Sequence, residues 1–136
     1  MKKYEHAFGK NDIRGIYGDD ITEELYYNVG LGFVKWLENK SSKSPSDMWI
    51  TVTRDARLHS PSLAKALEAG LTSTGAHVVD LGLAPTPIGY YSEVVGLPEN
   101  VTDGNKIIAA MIITASHNPS EYNGLKMTYA HQTLNE

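Results

Sequence analysis

The run at residues 107–114, IIAAMIIT, constrains the fold more than any other segment. It is apolar almost throughout and shows no two-residue alternation, which points to a strand covered on both faces. Such a strand needs helices above and below it, and the flanking sequence supplies them. Leu25, Val29, Phe33 and Trp36 recur three or four apart, so a helix is predicted from a Thr22 N-cap, with Glu23 and Glu24 at the positive end of its dipole. It fades into the polar stretch 40–47. Residues 48–53 read as a β-branched strand. Ser60 and Pro61 then open a second helix as cap and first residue, with Leu63, Leu67 and Leu71 as its stripe and Gly75 as its stop.

Residues 77–83 form the next predicted strand. Thr86 and Pro87 repeat the cap-plus-proline device and open a shorter helix carrying Ile88, Tyr91, Val94 and Val95, ended by Gly96 and Pro98. Residues 99–106 read as a loop. A last strand is predicted over 123–129, after a turn at 121–124. The pattern is α/β: a three-layer domain with a mixed sheet of about four strands between helices.

A chain of 136 residues with 41% hydrophobic composition is sized for one domain, 1–136, that folds around its own core. With no cysteine, a disulfide scaffold, a thiolate metal site and a cysteine nucleophile are all excluded. A net charge of -4 with only three arginines argues against a nucleic-acid surface, which requires clustered cations to displace counterions. No run approaches the roughly 20 apolar residues of a bilayer span. Met1-Lys2-Lys3 leads into Tyr4, Glu5 and His6 and not into an export core, so the cytoplasm is the expected compartment.

Ligands of open α/β sheets gather beyond the carboxyl ends of the strands. There the sequence places Thr114-Ala115-Ser116-His117-Asn118-Pro119, a hydroxyl, an imidazole and an amide directly after the most apolar strand. Ser, Asn and Pro also make ordinary turns, so a simple chain reversal is the bland alternative. A serine hydrolase elbow would need glycines where Thr114 and Asn118 stand, and adjacent Ser116 and His117 side chains diverge in an extended stretch. Phosphoryl transfer suits the loop better. A phosphoserine needs cations or amide donors around it, and Arg14 and Lys126 are candidates to converge on Ser116.

Phe8-Gly9 with Asp12-Ile13-Arg14-Gly15, Arg54-Asp55-Ala56-Arg57, Pro85-Thr86-Pro87, the serine loop, and Tyr122-Asn123-Gly124-Leu125-Lys126 stand in the order and spacing of the α-D-phosphohexomutases. The whole chain resembles their first domain, most closely in the phosphomannomutase/phosphoglucomutase branch. The resemblance implies that Ser116 carries a phosphoryl group, transfers it to a hexose phosphate, and takes back the other phosphoryl group of the resulting hexose bisphosphate. It also implies that Ser116, through its phosphate, is one ligand of Mg2+. Lys126 matches a lysine that assists proton transfer, Arg14 an arginine beside the phosphoserine, Asn118 a phosphate-binding position, and His117 a proton carrier or loop hydrogen-bonder.

The chain departs from that pattern at three places. Asn11 replaces a tyrosine, while Phe8-Gly9 is similar to the phosphoglucosamine mutase branch. Thr53 and Ala56 replace glycines, which argues against positive φ there. The family's metal, sugar-recognition and distal phosphate loops belong to later domains. The isolated chain is therefore expected to lack turnover, to work with the remaining domains of a parent enzyme, and to self-associate through apolar surface left open. The rival reading is a non-catalytic sugar-phosphate or anion-binding module.

Other charged groups read as structural. Asp19-Asp20 looks like a solvated turn, and Arg54, Asp55 and Arg57 like an ion-pair cluster supporting the active-site loop. His6, His59, His77 and His131 lack metal spacing, and the pairs Tyr26-Tyr27 and Tyr90-Tyr91 read as helix packing.

Overall fold

The computed structural model describes residues 2–10 and 12–134, so Asn11, the site of one departure, lies outside the described residues. The elements are β1 (Ile13–Ile16), α1 (Glu23–Ser41), β2 (Trp49–Arg54), α2 (Ser60–Ser73), β3 (His77–Leu83), α3 (Thr86–Val95), α4 (Glu99–Thr102), β4 (Ile107–Ile113), β5 (Tyr122–Tyr129) and β6 (Gln132–Thr133). The sheet order is β1-β5-β4-β2-β3, with β6 also paired to β5. β2 is parallel to both β3 and β4, whereas β5 is antiparallel to β4, β1 and β6. The sheet is mixed, as expected, but has six strands rather than about four. β1 and β6 add the difference, and four or two residues are too few to show a period.

β4 lies between β5 and β2 and is buried along nearly its whole length, which accounts for its unbroken apolar run. Ile50, Val52, Met111 and Ile113 join Leu25, Tyr26, Phe33, Leu63, Leu67 and Leu71 in the main core, under α1 and α2. Those helices meet through two glycines. A Cβ on Gly70 would stand 2.2 Å from the Tyr27 carbonyl oxygen, and one on Gly30 would stand 2.8 Å from that of Leu67.

The opposite face belongs to α3. Ser92 Oγ donates to the Gly89 carbonyl at 2.6 Å, which leaves it the acceptor for Thr51 Oγ1 on β2 at 2.8 Å. A Cβ on Gly89 would meet Ile112 at 2.5 Å. The buried residues of α3 are therefore Gly89, Ser92 and Glu93, while its predicted apolar stripe turns outward, with Tyr91 and Val95 each 61% exposed. Close approach to a threonine-lined sheet selects small residues over large ones here.

Several boundaries also differ. Thr22 caps α1 as predicted, accepting from the Leu25 amide at 3.1 Å. The cap of α2 is His59, and Ser60 is already helical, its hydroxyl directed elsewhere. Pro85 precedes α3, and α4 occupies part of the predicted loop. Tyr26 is core, whereas Tyr27 and Tyr91 face outward and Trp36 is half-buried, stacked on Phe33 at 5.9 Å. Asp20 turns inward from its predicted solvated turn: it accepts from the Ile16 amide at 2.9 Å and pairs with His6. Among the described residues, no helix is long and apolar enough to cross a membrane.

The glycine contact gives a paired test. Alanine in place of a helical glycine gains about 1 kcal/mol of propensity. Gly32 has open space around its missing Cβ, so Gly32→Ala should raise the thermal midpoint. Gly70→Ala should lower it, because overpacking against backbone costs about 1–3 kcal/mol or more. Thermal unfolding of the two variants checks both signs.

Candidate functional site

The parallel strands β2 and β4 end side by side, with Arg54 opposite Ile113. The chain leaving β4 forms the serine loop, and the chain leaving β2 holds it. Thr114 is buried, and its Oγ1 accepts from the Ser116 amide at 2.9 Å. Ser116 is exposed and sits at φ 56°, a left-handed conformation that costs a residue with a Cβ about 1–2 kcal/mol. Thr53 and Ala56 have no positive φ, as their side chains led us to expect.

Arg57 supplies the restraint. Its guanidinium donates to the carbonyls of Pro119 at 2.6 Å, Asn118 at 2.7 Å, Tyr122 at 3.0 Å and Ser116 at 3.3 Å. Its Nε pairs with Asp55 at 3.2 Å, and Asp55 accepts from the Ser60 hydroxyl at 2.7 Å. Burial pushes the Asp55 carboxyl up, but hydrogen bonds from Ser60, the Arg57 amide and Thr114, together with the Arg57 charge, outweigh it and hold the group below the usual carboxylate range. The predicted ion-pair cluster is thus Asp55 with Arg57. Arg54 acts elsewhere, opposing the burial and the Asp80 charge that push Glu68 up to about 7.

The cationic side comes from β1 and β5. Their antiparallel register sets Arg14 opposite Gly124. Gly124 is required by close approach: a Cβ there would lie 2.5 Å from the Ile13 carbonyl oxygen and 2.9 Å from that of Thr114. Arg14 donates to Asn118 Oδ1 at 2.7 Å, which ties it to the serine loop. Asp12 accepts from both Arg14 and Lys126, the latter at 3.1 Å. Asp12 thereby joins Arg14 to Lys126, and Arg14 alone of the two cations bonds to the serine loop, through Asn118. His117 is exposed and its ring joins none of these bonds.

Asp12, Asp55, Arg57, His59 and Asn123 were not predicted as site residues. Asp12 lies in the motif that supplied Arg14, and its alternation with Arg14 and Lys126 across a strand pair was the available signal. Asn123 is fully buried in a predicted strand, where a polar side chain signals a network. Among the described residues, no three His, Asp or Glu side chains gather as a metal site. The arrangement offers an exposed hydroxyl on a rigid loop, with two cations sharing one carboxylate.

Residues 5–134 match the family model described as phosphoglucomutase/phosphomannomutase, alpha/beta/alpha domain I. A phosphomannomutase/phosphoglucomutase of Pseudomonas aeruginosa is 37% identical over 127 residues, covering 93% of this chain and 24% of the relative. A probable phosphoglucosamine mutase of Methanosphaera stadtmanae is 35% identical, covering 93% of this chain and 25% of the relative. A crystal structure of a phosphoglucomutase/phosphomannomutase family protein from Burkholderia thailandensis superposes with a TM-score of 0.84 at 31% identity, covering 96% of this chain and 27% of that one. The chain spans about a quarter of the length of the curated relatives it matches.

The Asp55 network predicts a pH dependence. A carboxyl held below its ordinary value of 3.8 stabilises the fold fully above that pH, and the contribution is lost as pH falls toward the folded value. Asp55→Asn should therefore be less stable than the parent at neutral pH, with the gap narrowing below 3.8. Thermal midpoints across an acid series measure it.

Proposed function

The chain belongs to the phosphoglucomutase/phosphomannomutase family as its α/β/α domain I, and we propose that it carries the phosphoryl-transfer serine of a hexose phosphate mutase. Ser116 is the residue phosphorylated. Its P–O bond breaks as a bond forms to the free hydroxyl of a glucose or mannose phosphate, giving a 1,6-bisphosphate. Return of the other phosphoryl group to Ser116 completes the exchange. The serine oxygen leaves with a proton and the sugar hydroxyl gives one up, and Lys126 is assigned to carry it. Arg14 and Asn118 balance and orient the charged oxygens, since such transfers depend chiefly on positioning and electrostatics. His117 stands beside the serine as a loop donor or proton carrier.

Magnesium is the metal this reading requires, a hard cation suited to phosphate oxygen. The phosphorylated Ser116 would give it one ligand, and the described residues do not complete a site. The remaining ligands and the sugar-recognition groups would come from the remaining domains of a parent enzyme, and without them the isolated chain should not turn over.

The observation that carries this reading is the exposed left-handed Ser116 on a loop that Arg57 holds and that Arg14, which shares Asp12 with Lys126, joins through Asn118. In the full-length protein bearing this chain, Ser116→Ala should reduce interconversion of hexose 1- and 6-phosphates by at least about a thousandfold. Intact mass should place one phosphate on the parent and none on the variant. Equal activity in both would overturn the assignment. Phosphosugar binding without turnover in either would favour the binding-module reading.

A further inference from the structure

His59 lies outside the reacting groups, yet its ring joins three elements that meet at the serine loop. It caps α2, its Nδ1 is 2.7 Å from Asn123 Nδ2, and its Nε2 is 3.1 Å from the Ser120 carbonyl oxygen. Its face stacks on Tyr17 from the turn after β1, with centroids 4.5 Å apart and planes 14° apart. Tyr17 in turn donates its amide to the Glu121 carbonyl at 2.8 Å and its hydroxyl to Glu23 at 2.7 Å.

The hydrogen-bond network fixes one tautomer of the neutral ring. Asn123 Oδ1 accepts from the Gly124 amide at 2.8 Å, and its Nδ2 donates to Ser60 Oγ at 2.9 Å. Ser60 Oγ can accept that bond because its own proton goes to Asp55. The amide orientation of Asn123 is therefore fixed, and reversing it would break two bonds in a buried site. Nδ1 of His59 must accept from Asn123, so the single proton of the neutral ring is on Nε2, where it donates to Ser120.

Ser120 completes a series. Arg57 holds the carbonyls at 116, 118, 119 and 122, and His59 holds the one at 120. We propose that His59 is a positioning residue for the Ser116 loop and acts only as the neutral Nε2–H tautomer. A second proton would set an Nδ1 donor against the Asn123 donor; turning the ring to relieve that clash takes the Nε2–H off the Ser120 carbonyl and releases the loop's far end. The role is one in phosphoryl transfer only insofar as the function proposed above holds. The titratable and charged groups around the ring are Tyr17 from the β1 turn, Glu23 from α1, Asp55 and Arg57 from the segment before α2, and Glu121 from the loop itself.

Nitrogen NMR of the imidazole ring in the full-length protein reads the tautomer directly, and hydrogen exchange at residues 116–122 reads the loop. We expect an Nε2–H signature at neutral pH. Exchange in the loop should quicken by about fivefold as His59 takes up its second proton, which is the loss of a hydrogen bond worth about 1 kcal/mol. His59→Phe, which keeps the stacked ring without its nitrogens, should show the faster exchange at every pH. An Nδ1–H signature, or loop exchange indifferent to His59 protonation, would overturn the proposal even if the variant failed to fold. Neither measurement depends on turnover. A retained loop response combined with full activity in Ser116→Ala would sink the proposed function and leave this device standing.

Discussion

The site depends on one guanidinium. A loop that leaves a central strand has no ladder partner for its carbonyls, and this one must also hold Ser116 in a left-handed conformation. Arg57 takes four of those carbonyls at once, and its planar fork can do so because Asp55 fixes Nε from behind. The strain at Ser116 and the restraint from Arg57 are of opposite sign. Several charge-assisted hydrogen bonds outweigh about 1–2 kcal/mol of backbone cost. The result is an exposed hydroxyl that does not rotate away with its loop.

The sheet topology explains how Arg14 reaches the serine loop and shares Asp12 with Lys126. β2 and β4 are parallel, so both release their chains at the same edge, and the loop from one can hold the loop from the other. β5 returns antiparallel beside β4 and β1 pairs antiparallel with β5, which brings Arg14 next to the start of β5 and Lys126 two residues further along it. Gly124 is the point where three backbones converge, touching Ile13 and Thr114 together. An all-parallel sheet would need a crossover helix between β4 and β5, and Lys126 would then be carried away from Asp12.

The sequence made the covered strand, both long helices and the Thr22 cap legible, because each is carried by local periodicity or a compact motif, and two such motifs supplied Arg14 and Asn118, which bond to each other. Other features depended on contacts distant in sequence. The outward stripe of α3 could not be read from its spacing, since the geometry of Gly89 against Ile112 decides which face packs. Ser60 has the composition of a cap but bonds to Asp55 and Asn123, 5 and 63 residues away. His59 gave no metal spacing, and its role rests on partners 61 and 64 residues along the chain.

Asp12 shows why a carboxylate belongs in the phosphoryl-transfer site proposed here. Arg14 and Lys126 would repel each other at this edge before any phosphate arrived, and long side chains would swing into water. Sharing Asp12 holds both heads in place at the cost of one unit of the attraction they offer. Arg14 is also tied to the loop through Asn118, so its second bond does not depend on the anion. The trio thus carries a net excess of one positive charge, already oriented, so that in the proposed reaction a phosphoryl group need not order the two long side chains.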